Sequence, residues 1–178
     1  MPVDDAPSLG SSNAPLALVE FTDFQCQYCA RFESETFPRL AANYIDTGKV
    51  RFFSRSLTIS THPLAEPAAK AAICAGRQGR FWELREKLFA ANDNFMPNTI
   101  AKIAQDAGID FDASQTNAQA EAVFLTDRKA AQTAGLRATP SFILGRLVDG
   151  KIIGQKIVGA QPYSVFENEI QKLLLSQK

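Results

Sequence analysis

The chain has 178 residues, 46% of them hydrophobic, which is enough for one well-buried core and too few for two large domains. Lys plus Arg total 19 and Asp plus Glu total 19, so no net charge draws the chain to nucleic acid or anionic lipid. Three cysteines are too few for a disulfide-dense scaffold, and beyond Cys26 and Cys29 only the scattered Cys74 and His62 remain, which argues against structural zinc.

Residues 1–15, with Pro2, Pro7, Ser8, Gly10, Ser11, Ser12 and Pro15, read as a flexible, extended leader, with Asp4 and Asp5 on solvated surface. Met1-Pro2-Val3 is not the start of a basic and then apolar signal, and no apolar run long enough to span a bilayer occurs. Two readings stay open: a cytosolic protein, or a mature fragment behind a start Met. Leu16–Thr22 is a nearly continuous apolar run, predicted as a strand buried on both faces and interrupted only by Glu20. From Cys26 onward, Cys29, Phe32, Thr36, Phe37, Leu40 and Tyr44 recur at spacings of three and four, predicting an amphipathic helix kinked near Pro38. Val50–Arg55 follows as a second strand, parallel to the first because a helix lies between them.

Residues 62–134 lack strand signals and break into helices near 63–76, 79–91, 98–107 and 113–134, an inserted all-helical subdomain. Phe81 and Trp82 read as its core anchors. Ser141–Leu144 resumes the sheet, and Asp149-Gly150 predicts a two-residue hairpin leading into Lys151–Val158. Pro162 suits the first position of a final helix, with Val165, Phe166, Ile170, Leu173 and Leu174 as its apolar stripe. The order β-α-β, helical insertion, β-β-α is an α/β fold made of residues 16–61 and 135–178, with 62–134 inserted.

Cys26-Gln27-Tyr28-Cys29 carries the chemistry. A two-residue gap on a helix brings two sulfurs within bonding range, and a helix N-terminus offers unpaired N–H groups and a positive dipole end to the first. Cys26 is then the nucleophile and leaving group, and Cys29, one turn further along the apolar face, the shielded resolving thiol. The plainer reading is an incidental pair.

Val19-Glu20-Phe21-Thr22-Asp23-Phe24-Gln25-Cys26-Gln27-Tyr28-Cys29, together with the distant Ala138-Thr139-Pro140-Ser141-Phe142, resembles the DsbA branch of thioredoxin-like proteins. Ala71-Ala72-Ile73-Cys74-Ala75 and Gln78-Gly79-Arg80-Phe81-Trp82 extend the resemblance through the insertion, so that it covers about residues 13–176. It implies a thioredoxin-like fold and introduction of disulfides into secreted or periplasmic proteins. The catalytic element is the Cys26–Cys29 redox disulfide, with no bound cofactor or metal. It implies a bacterial extracytoplasmic setting, reduced or unfolded protein substrates, a quinone-linked membrane reoxidase, a monomer and no nucleic-acid partner. Gln27, Tyr28, Thr139 and Pro140 would meet substrate, with Pro140 in the cis form and the Thr139 backbone turned outward to pair with an extended segment.

The resemblance also places a buried acid at Glu20, able to take the proton of Cys29 and return it; read from the strand alone, Glu20 could equally face water. One departure bears on mechanism: the family's best-known members carry Pro-His where this chain has Gln27-Tyr28. Without that His, a helix N-terminus supplies up to about 2 kcal/mol, which takes a thiol from about 8.5 to about 7, and the expected Cys26 pKa lies between about 5 and about 7. The expected potential lies between those of thioredoxin and DsbA, which leaves a reductase or isomerase of the same fold in play. A copper-binding thioredoxin-like module is a rival from another class, although two Met and one His offer little to complete a soft-metal site. Cys74 is expected to pack in a core, and His62 to lie at the surface or a helix start.

Overall fold

A computed structural model describes residues 1–3 and 6–176; Asp4 and Asp5, expected on solvated surface, lie outside the described residues. Five strands, β1 (Ser8–Leu9), β2 (Leu16–Thr22), β3 (Val50–Ser56), β4 (Ser141–Val148) and β5 (Lys151–Val158), form one sheet in the order β1-β3-β2-β4-β5. Strand β2 (Leu16–Thr22) is buried along its whole length, as expected of an apolar run flanked on both edges and covered on both faces. It runs parallel to β3 (Val50–Ser56) and antiparallel to β4 (Ser141–Val148), which pairs with β5 (Lys151–Val158). Strand β4 outruns its expected end at Leu144, because pairing with β5 continues to Val148 and Lys151 beside the hairpin. In that hairpin Asp149 and Gly150 have φ values of 49° and 69°, the paired left-handed residues that a type I′ turn requires.

The helix after Cys26 runs as α1 (Gln27–Arg31), a wide turn at Phe32–Thr36, α2 (Phe37–Leu40) and a second wide turn at Ala41–Ile45. The Phe37 N–H reaches back five residues to the Phe32 carbonyl, and Asp46 does the same to Ala41. Pro38 has no N–H to continue the four-residue ladder, and the turn before it, where the kink was expected, is widened. The apolar positions keep their face: Cys29, Phe32, Thr36, Leu40 and Tyr44 are all buried.

The insertion comprises α3 (Ala65–Gly76), α4 (Phe81–Ala90), α5 (Pro97–Asp106), α6 (Phe111–Gln115) and α7 (Ala118–Thr133). The single helix expected over 113–134 is two helices, because Asp110 caps the first through Ala113 N–H and Asn117 caps the second through Gln119 and Ala120 N–H. Helix α3 buries Ala65, Ala68, Ala69, Ala71, Ala72 and Ala75, small side chains that let neighbouring helices approach closely. Helix α8 (Tyr163–Leu175) starts one residue later than expected, with Pro162 as its extended cap. Its Phe166 packs against Phe142 of β4 and Phe32, with ring centroids 4.9 and 5.6 Å away, tying the final helix to the central sheet and to the turn after Cys29.

Within residues 1–15, expected as a flexible leader, residues 1–3 and 8–9 are pinned to opposite edges of the sheet. The Ile152 N–H donates to the Met1 carbonyl at 2.8 Å, and Val3, 1% exposed, donates to Gly150 at 3.2 Å. Further on, β1 (Ser8–Leu9) pairs antiparallel with Phe53 and Phe52. Pro, Gly and Ser specify extended backbone, but an open sheet edge supplies the unpaired groups that fix it. Among the described residues no helix is long and apolar enough to cross a membrane.

Candidate active site

Strand β2 ends at Thr22, and the three residues that follow are locked before the chain reaches Cys26. The buried Asp23 carboxylate accepts from Gln25 N–H at 2.8 Å and Ile59 N–H at 3.0 Å, and lies 2.8 Å from His62 Nδ1. The Gln25 side-chain carbonyl accepts from Leu64 N–H, and Asn92 donates to the Phe24 carbonyl, both at 2.8 Å. His62, expected at the surface or a helix start, is a partner in this lock. The chain therefore enters α1 with its geometry set by two separate loops.

Cys26 is the N-cap of α1 rather than a residue of its first turn, with extended backbone at φ −80° and ψ 118°. Its carbonyl already accepts from Cys29 and Ala30 N–H. Cys26 keeps slight exposure, 6%, whereas Cys29 has none. Both cysteines are free thiols. They belong to a buried cluster with Phe24, Ala68, Ala72, Leu84, Leu88 and Phe89, so the pair sits where the helical insertion packs on the head of α1.

The two thiols are pushed apart in acidity. The Cys29 thiol beside Cys26, the Thr139 hydroxyl and the N–H groups of Cys29 and Tyr28 stabilise a Cys26 thiolate, bringing its pKa down to about 5 against the opposing cost of burial. Thr139 Oγ1 is buried near this sulfur and has no hydrogen-bond partner among the described residues. Burial pushes the Cys29 thiol well above its ordinary range, reinforced by its bond to Cys26 and by the negative charge of Glu20. One thiolate, on Cys26, is therefore the stable ionisation of the pair.

Glu20 is fully buried, which decides between the two readings of its strand. Burial raises its pKa to about 7, although the Arg85 guanidinium pulls the other way. Arg85 Nη2 lies 2.8 Å from Glu20 Oε2, Nη2 also donates to Glu33 Oε2, and Nη1 donates to Ser54 Oγ at 2.9 Å. The rings of Phe37, Phe52, Trp82 and Phe89 surround this guanidinium. Neither Arg85 nor Glu33 is among the sequence candidates. The available signal was periodicity, since Arg85 falls on the same face of α4 as Phe81, Leu84 and Leu88.

The Thr139-Pro140 bond is cis. Thr139, expected to turn its backbone outward, instead sends its carbonyl toward Cys26, with Sγ and O 3.6 Å apart, and is 9% exposed. The Pro140 carbonyl is occupied by Gly159 N–H at 2.8 Å. Gln27 is exposed, and Tyr28 is 51% exposed with the Arg31 guanidinium 5.2 Å from its ring centre. Across the sheet, Val158 is also exposed and sits opposite Ser141, the residue after Pro140. Cys74, expected in a core, is half-buried on α3 and packs against two clusters from their rim. Trp82 packs between Phe81 and Phe52, as a core anchor does. Among the described residues no three His, Cys, Asp or Glu side chains come together as a metal-ligating group.

Known proteins share this architecture. The structure of alpha-DsbA1 from Wolbachia pipientis superposes with a TM-score of 0.82 at 23% identity, covering 100% of this chain and 97% of that one. In sequence, the chain is 33% identical to disulfide bond formation protein D of Bacillus subtilis over 84 residues, covering 47% of this chain and 38% of that protein. It is 31% identical over 139 residues to the Na(+)/H(+) antiporter NhaA 3 of Salinispora tropica, covering 76% of this chain and 21% of the antiporter. The chain thus spans well under half the length of either curated relative. A thioredoxin family model matches residues 3–162, so the buried strand, the helix-capping CxxC pair and the cis proline have a common explanation: the chain belongs to the thioredoxin family.

Proposed function

We propose that this chain is a protein thiol–disulfide oxidoreductase that works through Cys26 and Cys29 and runs in the oxidising direction. The observation that carries the reading is the split acidity of the pair: a nearly buried Cys26 thiolate favoured at about pH 5 and above, beside a Cys29 held as a thiol. A sulfur that leaves readily as thiolate is released readily from a mixed disulfide, and a stabilised thiolate favours the reduced enzyme, hence oxidation of substrate. The B. subtilis relative named for disulfide bond formation supports the same direction.

In the reaction, a substrate thiolate attacks Sγ of Cys26 in the Cys26–Cys29 disulfide. The sulfur–sulfur bond breaks, Cys29 leaves with the electron pair, and the protonated Glu20 carboxyl supplies its proton. A second substrate thiolate then attacks the substrate sulfur of the mixed disulfide and releases Cys26 as thiolate. Two substrate thiols become one disulfide, and the enzyme disulfide becomes a dithiol. A quinone-linked membrane protein in the extracytoplasmic compartment is the reoxidising partner in this reading. Exposed Gln27 and Tyr28, with Thr139 and Pro140 behind the Cys26 sulfur, form the face offered to reduced proteins.

Cysteine variants test the assignment with a reduced, unfolded protein as substrate. Cys26→Ser abolishes disulfide transfer, Cys29→Ser accumulates mixed disulfides through Cys26, and Cys74→Ala does neither. Loss of transfer in the Cys74 variant with retention in the Cys29 variant would overturn the assignment.

A further inference from the structure

We infer that His62 is a positioning residue for the proposed exchange reaction: through Asp23 it holds the Cys26 backbone in the pose that turns the open end of α1 toward the reacting sulfur. The inference rests on the oxidoreductase reading above and names a group outside the CxxC motif that sets how readily its first sulfur leaves.

Cys26 cannot hold that pose by itself. The residue that caps a helix is usually Ser, Thr, Asp or Asn, because a side-chain oxygen accepts from the first helical N–H groups and keeps the cap extended. Cys26 makes no such side-chain bond, since the sulfur of a neutral thiol is a weak acceptor. Once ionised, the sulfur is served by the N–H groups of Tyr28 and Cys29, provided that the cap backbone already stands where they point. The hold comes from the residues before the helix. The Cys26 N–H donates to the Asp23 carbonyl at 3.1 Å, and the Asp23 carboxylate accepts the Gln25 N–H, so Asp23 fixes two successive amides at the entry to α1.

That turn is only as fixed as the Asp23 side chain. Its carboxylate is fully buried, and a buried anion needs a donor at each oxygen. Gln25 N–H occupies Oδ1, while Ile59 N–H at 3.0 Å and His62 Nδ1 at 2.8 Å occupy Oδ2. No Lys or Arg pairs with Asp23 among the described residues, so His62, the only histidine in the chain, is its one side-chain partner.

His62 is itself anchored. Its N–H donates to the Ile59 carbonyl at 2.9 Å, and its carbonyl accepts from Ala65 N–H at the head of α3. Two further bonds run alongside, from Leu57 N–H to the Thr22 carbonyl and from Leu64 N–H to the Gln25 side chain, each 2.8 Å. Residues 57–64, neither helix nor strand, are thereby clipped along Thr22–Gln25, and Leu64 packs on the cluster that holds both sulfurs. Without the His62 ring the backbone clips would remain, but Oδ2 would keep a single donor. The carboxylate would then gain by turning toward water, which releases the Gln25 N–H and loosens the cap. His62 forms no bond to substrate and carries no proton of the reaction; it acts on the thiolate through the direction of the N–H groups.

The test exploits the difference between the two ring nitrogens: an Asn amide nitrogen takes the place of Nδ1, and a Gln amide nitrogen that of Nε2. In His62→Gln and in His62→Ala the Cys26 thiolate midpoint, followed by ultraviolet absorbance, should rise by about one pH unit, a tenfold loss of thiolate stabilisation. Equilibration with glutathione at neutral pH should shift about tenfold toward the enzyme disulfide, which is about 30 mV. His62→Asn should restore both quantities to about the wild-type values, because it returns a donor to Asp23 without a ring or a charge. Urea unfolding identifies the variants that fold, and His62→Gln, which keeps the bulk of the side chain, decides the matter if His62→Ala does not. An unmoved midpoint and potential in a folded His62→Gln protein would overturn the inference, even with a loss of stability. So would a His62→Asn protein that behaves as His62→Gln does. A wild-type protein that exchanges no disulfides would instead refute the oxidoreductase reading, a failure that the thiolate midpoints of the variants do not share.

Discussion

Acidifying the reduced protein should dismantle the Cys26 thiolate, and the structure sets where and by how much. With a pKa of about 5 against an ordinary 9.0, the sulfur is ionised at neutral pH when an unperturbed thiol is not. Over the two units between about pH 5 and about pH 7 this amounts to at most about 2.7 kcal/mol favouring the reduced form, which raises the potential by up to about 60 mV. Water at the partly exposed sulfur screens some of this, so the figure is an upper bound. The sign follows from a lowered pKa in the folded state: the stabilisation is complete above the unfolded value of about 9 and is lost as pH falls through about 5. Between about pH 5 and about pH 8 only one proton accompanies two electrons, so the potential should change by about 30 mV per pH unit, steepening to about 60 mV below pH 5 where both thiols are protonated. Thiolate ultraviolet absorbance, with Cys26→Ser as the blank, gives the midpoint, and equilibration with glutathione at several pH values gives the slope. A midpoint at or above about 8, or a slope of about 60 mV throughout, would refute the account of how the helix cap and its donors act on Cys26.

Two further predictions concern the core beneath the pair. Glu20→Gln should stabilise the fold above neutral pH and leave it unchanged near pH 4, because a pKa raised from 4.5 to about 7 costs stability that accrues between those values. The gain is about 3 kcal/mol, read from urea unfolding at about pH 4 and about pH 8, and the same variant should slow Cys29 release. Phe166→Ala, which empties a fully buried ring site against Phe32 and Phe142, should cost about 3–5 kcal/mol in the same unfolding assay.

Local chemistry made much of this protein legible from its residues. The run Leu16–Thr22 had to be buried on both faces, the three-and-four spacing from Cys29 to Tyr44 had to form one helical face, and Asp149-Gly150 had to turn a hairpin. Each rests on neighbours within a few positions, as does the placement of Cys26 at the head of α1. The break at Asn117 was equally local, a helix cap inside a pattern otherwise continuous enough to read as one helix.

Tertiary structure decided which groups meet. The leader's extended backbone is pinned only because the edges of β3 and β5 have unpaired groups to offer it. The Thr139 carbonyl faces Cys26 because a loop 113 residues away in sequence closes over the head of α1. Arg85 was visible as a cation on an apolar stripe, but its meaning depends on Glu20, Glu33 and Ser54 arriving from three other elements. By itself the sequence determined where the two sulfurs lie relative to a strand and a helix, because that depends on short-range periodicity. The charge each group carries was settled by the fold, because ionisation inside a protein depends on desolvation and on partners that only long-range packing brings within hydrogen-bonding distance.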